Sequence, residues 1–307
     1  MVTRHTYASA DDLRDYLAGT TYSSGWTSDA SVLRRILETA SERINNYVGM
    51  QSFGSRTETR YYDIGSGSLR NTVQVNTYAG TDTEIGVGDR LVQAIPLDAW
   101  LISATTVTSY SGTDRTSSET LTEGYDNDYW LEPYNSSPKT NFKMNEDTAK
   151  SLNAGQQTLK ITGSWGYNDN KTGSLTTTGA ITGTGITSFG VNDASDLDAV
   201  ETILIGSEQM YITGISSNTL TVERAVNGTT ASTHSAGADV YAYIYPSDVV
   251  QACLDLGRIF FRDRDAGVTP TLGTGEQEVT KSNVDAVSVL KTLESYKSTT
   301  SDSGVYF

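Results

Sequence analysis

The stretch Ser28-Asp29-Ala30-Ser31-Val32-Leu33-Arg34-Arg35-Ile36-Leu37-Glu38-Thr39-Ala40-Ser41-Glu42-Arg43-Ile44-Asn45-Asn46-Tyr47-Val48-Gly49 decides how the chain is read. At about 100° per residue, Val32, Leu33, Ile36, Leu37, Ala40, Ile44, Tyr47 and Val48 fall within an arc of about 160°. Arg34, Arg35, Glu38, Glu42, Asn45 and Asn46 lie outside that arc, with Arg43 at its rim. The pattern predicts a helix over 28–48, about 30 Å long, with one face to bury. Gly49 stands where a C-terminal cap belongs.

Working outward, both ends of the chain read as helical. Ser9-Ala10-Asp11-Asp12 is a capping pattern followed by Leu13, Tyr16 and Leu17 at helical spacing, so a short helix is expected over 9–18. Pro246-Ser247-Asp248 opens a third, over 246–266. There Val249, Cys253, Leu256 and Phe260 form a stripe that Val250, Leu254, Ile259 and Phe261 broaden. Ser282-Asn283-Val284-Asp285 caps a fourth, over 282–297, carrying Val287, Leu290, Leu293 and Tyr296.

Between the helices the texture is that of strands and turns. In 56–165 the candidate strands are Thr59–Ile64, Thr72–Val75, Leu101–Tyr110, Tyr129–Leu131 and Thr158–Gly163, and Pro133 and Pro138 bracket a polar loop. A second block, 172–243, begins with a Gly/Thr-rich stretch. It continues with Thr202–Ile205, Met210–Ile215, Leu220–Arg224 and Asp239–Tyr245, separated by Gly206-Ser207, Ser217-Asn218 and Asn227-Gly228. Hairpins of this kind predict a small barrel or sandwich. The expected class is α+β: a helical-bundle body from the N- and C-terminal helices, a β-rich region, and an inserted small β-barrel or sandwich domain at 172–243.

Composition narrows the function. The 307 residues hold 22 Lys and Arg against 37 Asp and Glu, a net charge of −15. Gripping nucleic acid or anionic lipid needs a surplus of positive charge. No apolar run approaches the roughly 18 residues of a membrane span, and Met1–Thr6 lacks the apolar core of a secretory signal. One cysteine, Cys253, excludes an intramolecular disulfide framework and a cysteine zinc site.

The search for chemistry returns bland readings. Asp126-Asn127-Asp128 lacks the glycine and distal glutamate of an EF-hand and reads as a solvated turn. Gly183-Thr184-Gly185 is followed by no helix, which removes a dinucleotide loop. His234 sits in a Ser/Ala/Gly-rich loop, and Cys253 reads as a small core residue. No catalytic, cofactor-binding or metal-ligating residue is assigned. Arg258, Arg262 and Arg264 cluster near a helix C-terminus, where the macrodipole favours them, and are candidates for a subunit or partner contact.

Several stretches resemble the head–tail connector (adaptor, or head-completion) proteins of tailed bacteriophages. Ile44-Asn45-Asn46-Tyr47-Val48-Gly49 followed by Thr57-Glu58-Thr59-Arg60-Tyr61-Tyr62-Asp63 is similar to that family's helix end and first strand. So are Tyr125–Pro133 and Gly155–Tyr167, and Pro246-Ser247-Asp248-Val249-Val250-Gln251-Ala252 resembles the start of its long C-terminal helix. On this resemblance 1–171 with 244–307 is the adaptor core and 172–243 is an insertion, expected to project outward. Within the insertion, Ile205–Ile212 and Glu223–Ala231 resemble a module scattered among phage structural proteins.

The resemblance implies a structural virion protein, made in the bacterial cytoplasm and placed at the neck. It would form a ring, usually a dodecamer, beneath the portal protein and dock a downstream neck or tail protein. DNA would pass through the channel without sequence-specific binding; no membrane, cofactor or enzymatic activity is implied. The candidate portal-contact segment is Val284, Val287, Leu290, Leu293, Tyr296, Val305, Tyr306 and Phe307. The rival is a carbohydrate- or receptor-binding module of a tail-tip or adhesin protein, with Tyr211, Tyr241, Tyr243 and Tyr245 as a stacking platform.

Overall fold

A computed structural model describes residues 5–18, 30–49, 52–64, 94–111, 115–145, 148–150, 152–153, 155–173, 175–268 and 285–297. Among them the chain combines helices with two antiparallel sheets, an α+β architecture. It divides into two compact units: Met1–Gly54 with Asp169–Phe307, and Ser55–Asn168.

The first unit holds α1 (Ala10–Ala18), α2 (Ala30–Val48) and α3 (Ser247–Val268), which pack on one another. The Ser9 cap forms as the sequence predicts. The Asp12 N–H donates to Ser9 Oγ at 3.0 Å, and the Ser9 N–H donates back to the Asp12 carboxylate at 3.2 Å. The predicted stripe of α2 is buried at Leu33, Leu37, Ala40 and Ile44, while Tyr47 stays half-exposed. Gly49 takes φ +75° and its N–H bonds the Asn45 carbonyl, which closes the helix. From α3, Val249, Cys253, Leu256 and Ile259 complete this core.

The same unit contains a sheet in the order β7 (Leu175–Thr176), β12 (Asp239–Ala242), β9 (Thr202–Ile205), β10 (Glu208–Ser216), β11 (Thr219–Glu223) and β8 (Ser188–Gly190). Its outer strands meet: Thr177 bridges Val191, and the Thr178 N–H donates to the Gly190 carbonyl at 2.9 Å. The sheet therefore closes into a small barrel, which leaves no open edge along that seam. Its interior is its own, with Ile181, Val191, Ile203, Ile205, Met210 and Leu220 among the side chains that fill it.

The division of the chain falls elsewhere than at 172 and 243. The barrel shares a compact unit with the helices, and one of its walls is covered by them. Tyr211 is fully buried, its hydroxyl donating to the Glu38 carboxylate of α2 at 3.2 Å and its ring 4.7 Å beneath the Arg34 guanidinium. Thr6 donates to the Val200 carbonyl, and Asn227 bridges His5 and Gln209. The strand expected to run to Tyr245 ends at Ala242, and Tyr243 continues only as an isolated bridge to Lys171.

The second unit is a sheet in the order β1 (Arg56–Ile64), β6 (Gly155–Trp165), β2 (Ala94–Ser111), β5 (Lys139–Met144) and β4 (Tyr129–Glu132), with β3 (Ser117–Leu121) also paired to β2. Strand β2 is eighteen residues long and serves two partners on one side: its first part pairs β5 and its second part β3. The register slips between Pro96 and Leu101. Two further slips follow along the pairing with β6, between Leu101 and Ser103 opposite Trp165 and Ser164, and between Ala104 and Thr106 opposite Gly163 and Thr162. A Cβ on Gly163 would stand 2.2 Å from the Ser103 carbonyl oxygen, so the irregularity demands glycine there. Alternate residues Leu159, Ile161 and Trp165 of β6 are buried with Leu97, Leu101, Leu131 and Phe142 as one apolar face. The predicted strand Thr72–Val75 lies outside the described residues. The polar loop expected between Pro133 and Pro138 forms at those bounds, since β4 ends at Glu132 and β5 begins at Lys139.

Candidate functional site

The C-terminal segment expected to reach a partner is, in its described part, folded onto its own unit. Residues 285–291 are helical and Glu294–Tyr296 form a 3₁₀ turn. Leu293 is fully buried and Leu290 nearly so, while Val287 is 51% exposed. Tyr296 stands edge-on to Phe53 at 5.2 Å, and its hydroxyl lies 2.9 Å from both oxygens of Asp248 in the first turn of α3. Tyr47 donates to Glu294, and the Lys297 ammonium lies 4.0 Å over the Tyr47 ring. Of the predicted contact residues, Leu290 and Leu293 therefore serve as core here and Val287 faces outward. Val284, Val305, Tyr306 and Phe307 lie outside the described residues.

The arginine cluster does not act as one patch. Arg258 lies 3.9 Å from Asp255 and over Tyr16, whose hydroxyl is bonded to the same Asp255. Arg262 lies 3.7 Å from both Asp263 and Asp285. Arg264 lines a groove of about 260 Å³ between α2 and α3, with Arg35 on its other side and Val32, Ile36 and Phe260 also lining it.

The tyrosine platform is dispersed. Tyr211 is buried under α2, and Tyr245 is pressed edge-on against Tyr7 at 4.8 Å, where burial pushes its hydroxyl well above the ordinary range. Tyr243 stacks on Tyr245 at 6.4 Å and accepts a bond from Gln209, and Tyr241 lies under Lys171. These rings are mortar between elements, not a free face.

His234 belongs to a buried ionic network whose centre is Glu208, at 0% exposure. Arg224 grips Glu208 with a two-pronged contact, Nε to Oε1 at 2.6 Å and Nη2 to Oε2 at 2.7 Å. The backbone N–H of Ser232 donates at 3.0 Å, that of Ala225 at 3.3 Å, and His234 Nε2 lies at 2.9 Å. Burial alone would raise the Glu208 carboxyl; the Arg224, Ser232 and His234 bonds outweigh it and hold the group below its ordinary range. Arg224 also donates to the carbonyls of Gly183, Ile186 and Ser232. With both oxygens committed, the carboxylate is a rivet across the barrel rather than a base.

A second acidic group lies where the barrel meets α1. Asp198 bonds Ser9 and Asp11 through its side chain, and its N–H donates to the Glu201 carboxylate at 3.0 Å. Burial, then the charges of Asp198 and Asp12, push the Glu201 carboxyl up to about 7. Among the described residues no group of carboxylates, histidines or cysteine is arranged to hold a metal ion. Cys253 is buried against Ser41 and its thiol is pushed up to about 11, the state of an unreactive core cysteine.

In the second unit, the turn joining β3 to β4 forms a cleft of about 660 Å³ with Asn145, Thr148, Ala149 and Lys150. The turn read as merely solvated is in fact stapled. Asp128 accepts from the Thr122 N–H at 2.8 Å, from the Thr148 hydroxyl at 2.7 Å and from Lys150 at 2.9 Å. Burial would raise its carboxyl, and these bonds outweigh that and lower it. Asn145 Nδ2 donates to the carbonyls of Tyr125 and Asn127, and Asn127 Nδ2 to that of Glu123. Gly124, at φ +137° with Asn127 Nδ2 2.7 Å from where its Cβ would be, admits no side chain. Sequence reading missed this cleft; its only local signal is an aromatic residue, Tyr125, set among Gly, Asp and Asn. No family model, curated protein or solved structure matches the chain.

Proposed function

We propose that the chain is a head-to-tail adaptor of a tailed phage: a structural subunit that forms a ring beneath the portal, extends the DNA channel and docks the next neck or tail protein. One observation carries this reading. The stretches that resemble the adaptor family coincide with successive joints of the fold: the Gly49 end of α2, strand β1, its neighbour β6, and the first turn of α3. Strands β1 and β6 pair antiparallel from Arg56↔Trp165 onward, and α2 packs on α3. In this reading the helices form a bundle-like ring body, twelve copies surround the channel, and a net charge of −15 per copy keeps the wall from adhering to DNA.

The tail-tip reading is less well supported, since Tyr211 is fully buried and Tyr245 is half-buried with its hydroxyl enclosed. Because Leu290 and Leu293 are core residues, the reach toward the portal falls to Val287 and to 298–307. Reconstruction of the neck of intact virions by cryo-electron microscopy tests the proposal. A ring of this chain directly below the portal is expected; density only at the tail tip, or none in the particle, overturns it.

A further inference from the structure

The cleft at the β3–β4 turn is built for a ligand that the adaptor reading does not require. At about 660 Å³ it lies in the size range of small-ligand sites, roughly 300–1,000 Å³. Its walls are held before any ligand arrives, because the Asp128, Asn127 and Asn145 side chains are spent on fixing the loop. A ligand entering would meet little ordering cost.

Two groups are left over. The Tyr125 ring is 84% exposed although its backbone carbonyl is anchored by Asn145, so a large apolar face is displayed on a rigid support. The Asp126 carboxylate has no cationic partner among the described residues, whereas Asp128 is neutralised by Lys150 at 2.9 Å. Trp130 and the Thr122, Thr148 and Ala149 side chains complete a lining in which polar and aromatic groups alternate.

That mixture discriminates among ligand classes. A phosphate or nucleotide wants cations and free amide N–H groups, and here Lys150 is already paired and a carboxylate stands at the mouth. A metal ion finds no ligand set among the described residues. A greasy ligand would strand Asp126 and the loop amides. A pyranose fits each feature: its C–H face lies against an aromatic ring, and its hydroxyls donate to carboxylate and amide oxygens. We propose that this cleft binds an uncharged saccharide, with Tyr125 as the stacking ring and Asp126 as a hydroxyl acceptor. Anionic sugars are repelled by Asp126 and by a subunit of net charge −15.

The full-length protein would be titrated calorimetrically and on an array with uncharged malto-, cello-, galacto- and chito-oligosaccharides, beside sialylated and uronate-containing ones. The expected result is binding of at least one uncharged oligomer and of no anionic one. Tyr125→Ala should weaken that binding about tenfold, and Asp126→Ala should weaken it as well. Tyr61→Ala, which removes a tyrosine 44% exposed on β1, should leave it unchanged. Thermal midpoints of Tyr125→Ala and Asp126→Ala should match the parent, since neither residue has a side-chain bond to lose among the described residues. Absence of binding to every uncharged oligomer at about 10 mM, binding indifferent to Tyr125→Ala, or equal binding of anionic sugars would overturn the proposal. Each of these outcomes leaves the neck reconstruction, and hence the adaptor reading, untouched.

Discussion

Glu201, just before β9, and Glu208, at the start of β10, flank one hairpin and are both withdrawn from water, yet their carboxyls are driven in opposite directions. Burial pushes both upward. Glu208 meets Arg224 and His234 and is held below the ordinary range, while Glu201 meets Asp198 and Asp12 and rises to about 7. Burial sets the stake and the neighbours set the sign. One end of the hairpin is thereby riveted at neutral pH, and the other, at the α1 contact, is under repulsion.

The largest effect should come from breaking the rivet on one side. Arg224→Met leaves Glu208 buried without its cation and should cost about 3–5 kcal/mol in urea unfolding. Glu208→Leu with Arg224→Met should recover only part of this. Such a pair removes the stranded charge but leaves the Ser232 and Ala225 N–H groups and the Gly183 and Ile186 carbonyls without those partners. Full recovery would mean that the network contributes specificity alone.

The opposite signs predict opposite pH limbs. Glu201 binds its proton more tightly folded than unfolded, so stability is greatest below its ordinary value of 4.5. It falls as pH rises toward 7, by about 3 kcal/mol at most. Glu208, held down, contributes stability present above its ordinary value of 4.5 and lost as pH falls below it. Unfolding midpoints measured from pH 3 to 8 should therefore be flatter above pH 4.5 in Glu201→Gln, with the acid limb retained. A Glu201→Gln profile parallel to the parent's would remove Glu201 as the source.

What could be read in advance follows the range of each interaction. The Ser9–Asp12 cap, the α2 stripe and the Thr202–Ile205 strand are written in neighbouring residues, through capping chemistry and periodicity, and the sequence places them to within a few residues. Strands β7 and β8 are two and three residues long, too short for alternation to register. Closure of the barrel through Thr177 and Val191, and the meeting of Asp11 and Asp12 with Asp198 and Glu201, join residues far apart in the chain, and no local pattern announces them. The tyrosines of 241–245 alternated as expected, but which face is open depends on Tyr7, which arrives from the other end of the chain. The cleft was hidden for the same reason: Thr148 and Lys150 turn a polar turn into a fixed wall.

Ser9 offers the smallest and sharpest test, because its hydroxyl serves two masters. It caps α1 through the Asp12 N–H and also bonds Asp198, where it opposes the upward push of burial and of Asp11. Ser9→Ala loses the cap, about 1 kcal/mol, and lets the Asp198 carboxyl rise further. Glycine is tolerated at this position of a helix at a cost of only a few tenths of a kcal/mol. Ser9→Gly therefore isolates the second effect. If Asp198 belongs with Glu201, Ser9→Gly should barely change stability near pH 4 yet steepen its loss as pH rises toward 7. A uniform offset across that range would mean that Ser9 acts only as a cap, and that Glu201 alone carries the repulsion at this contact.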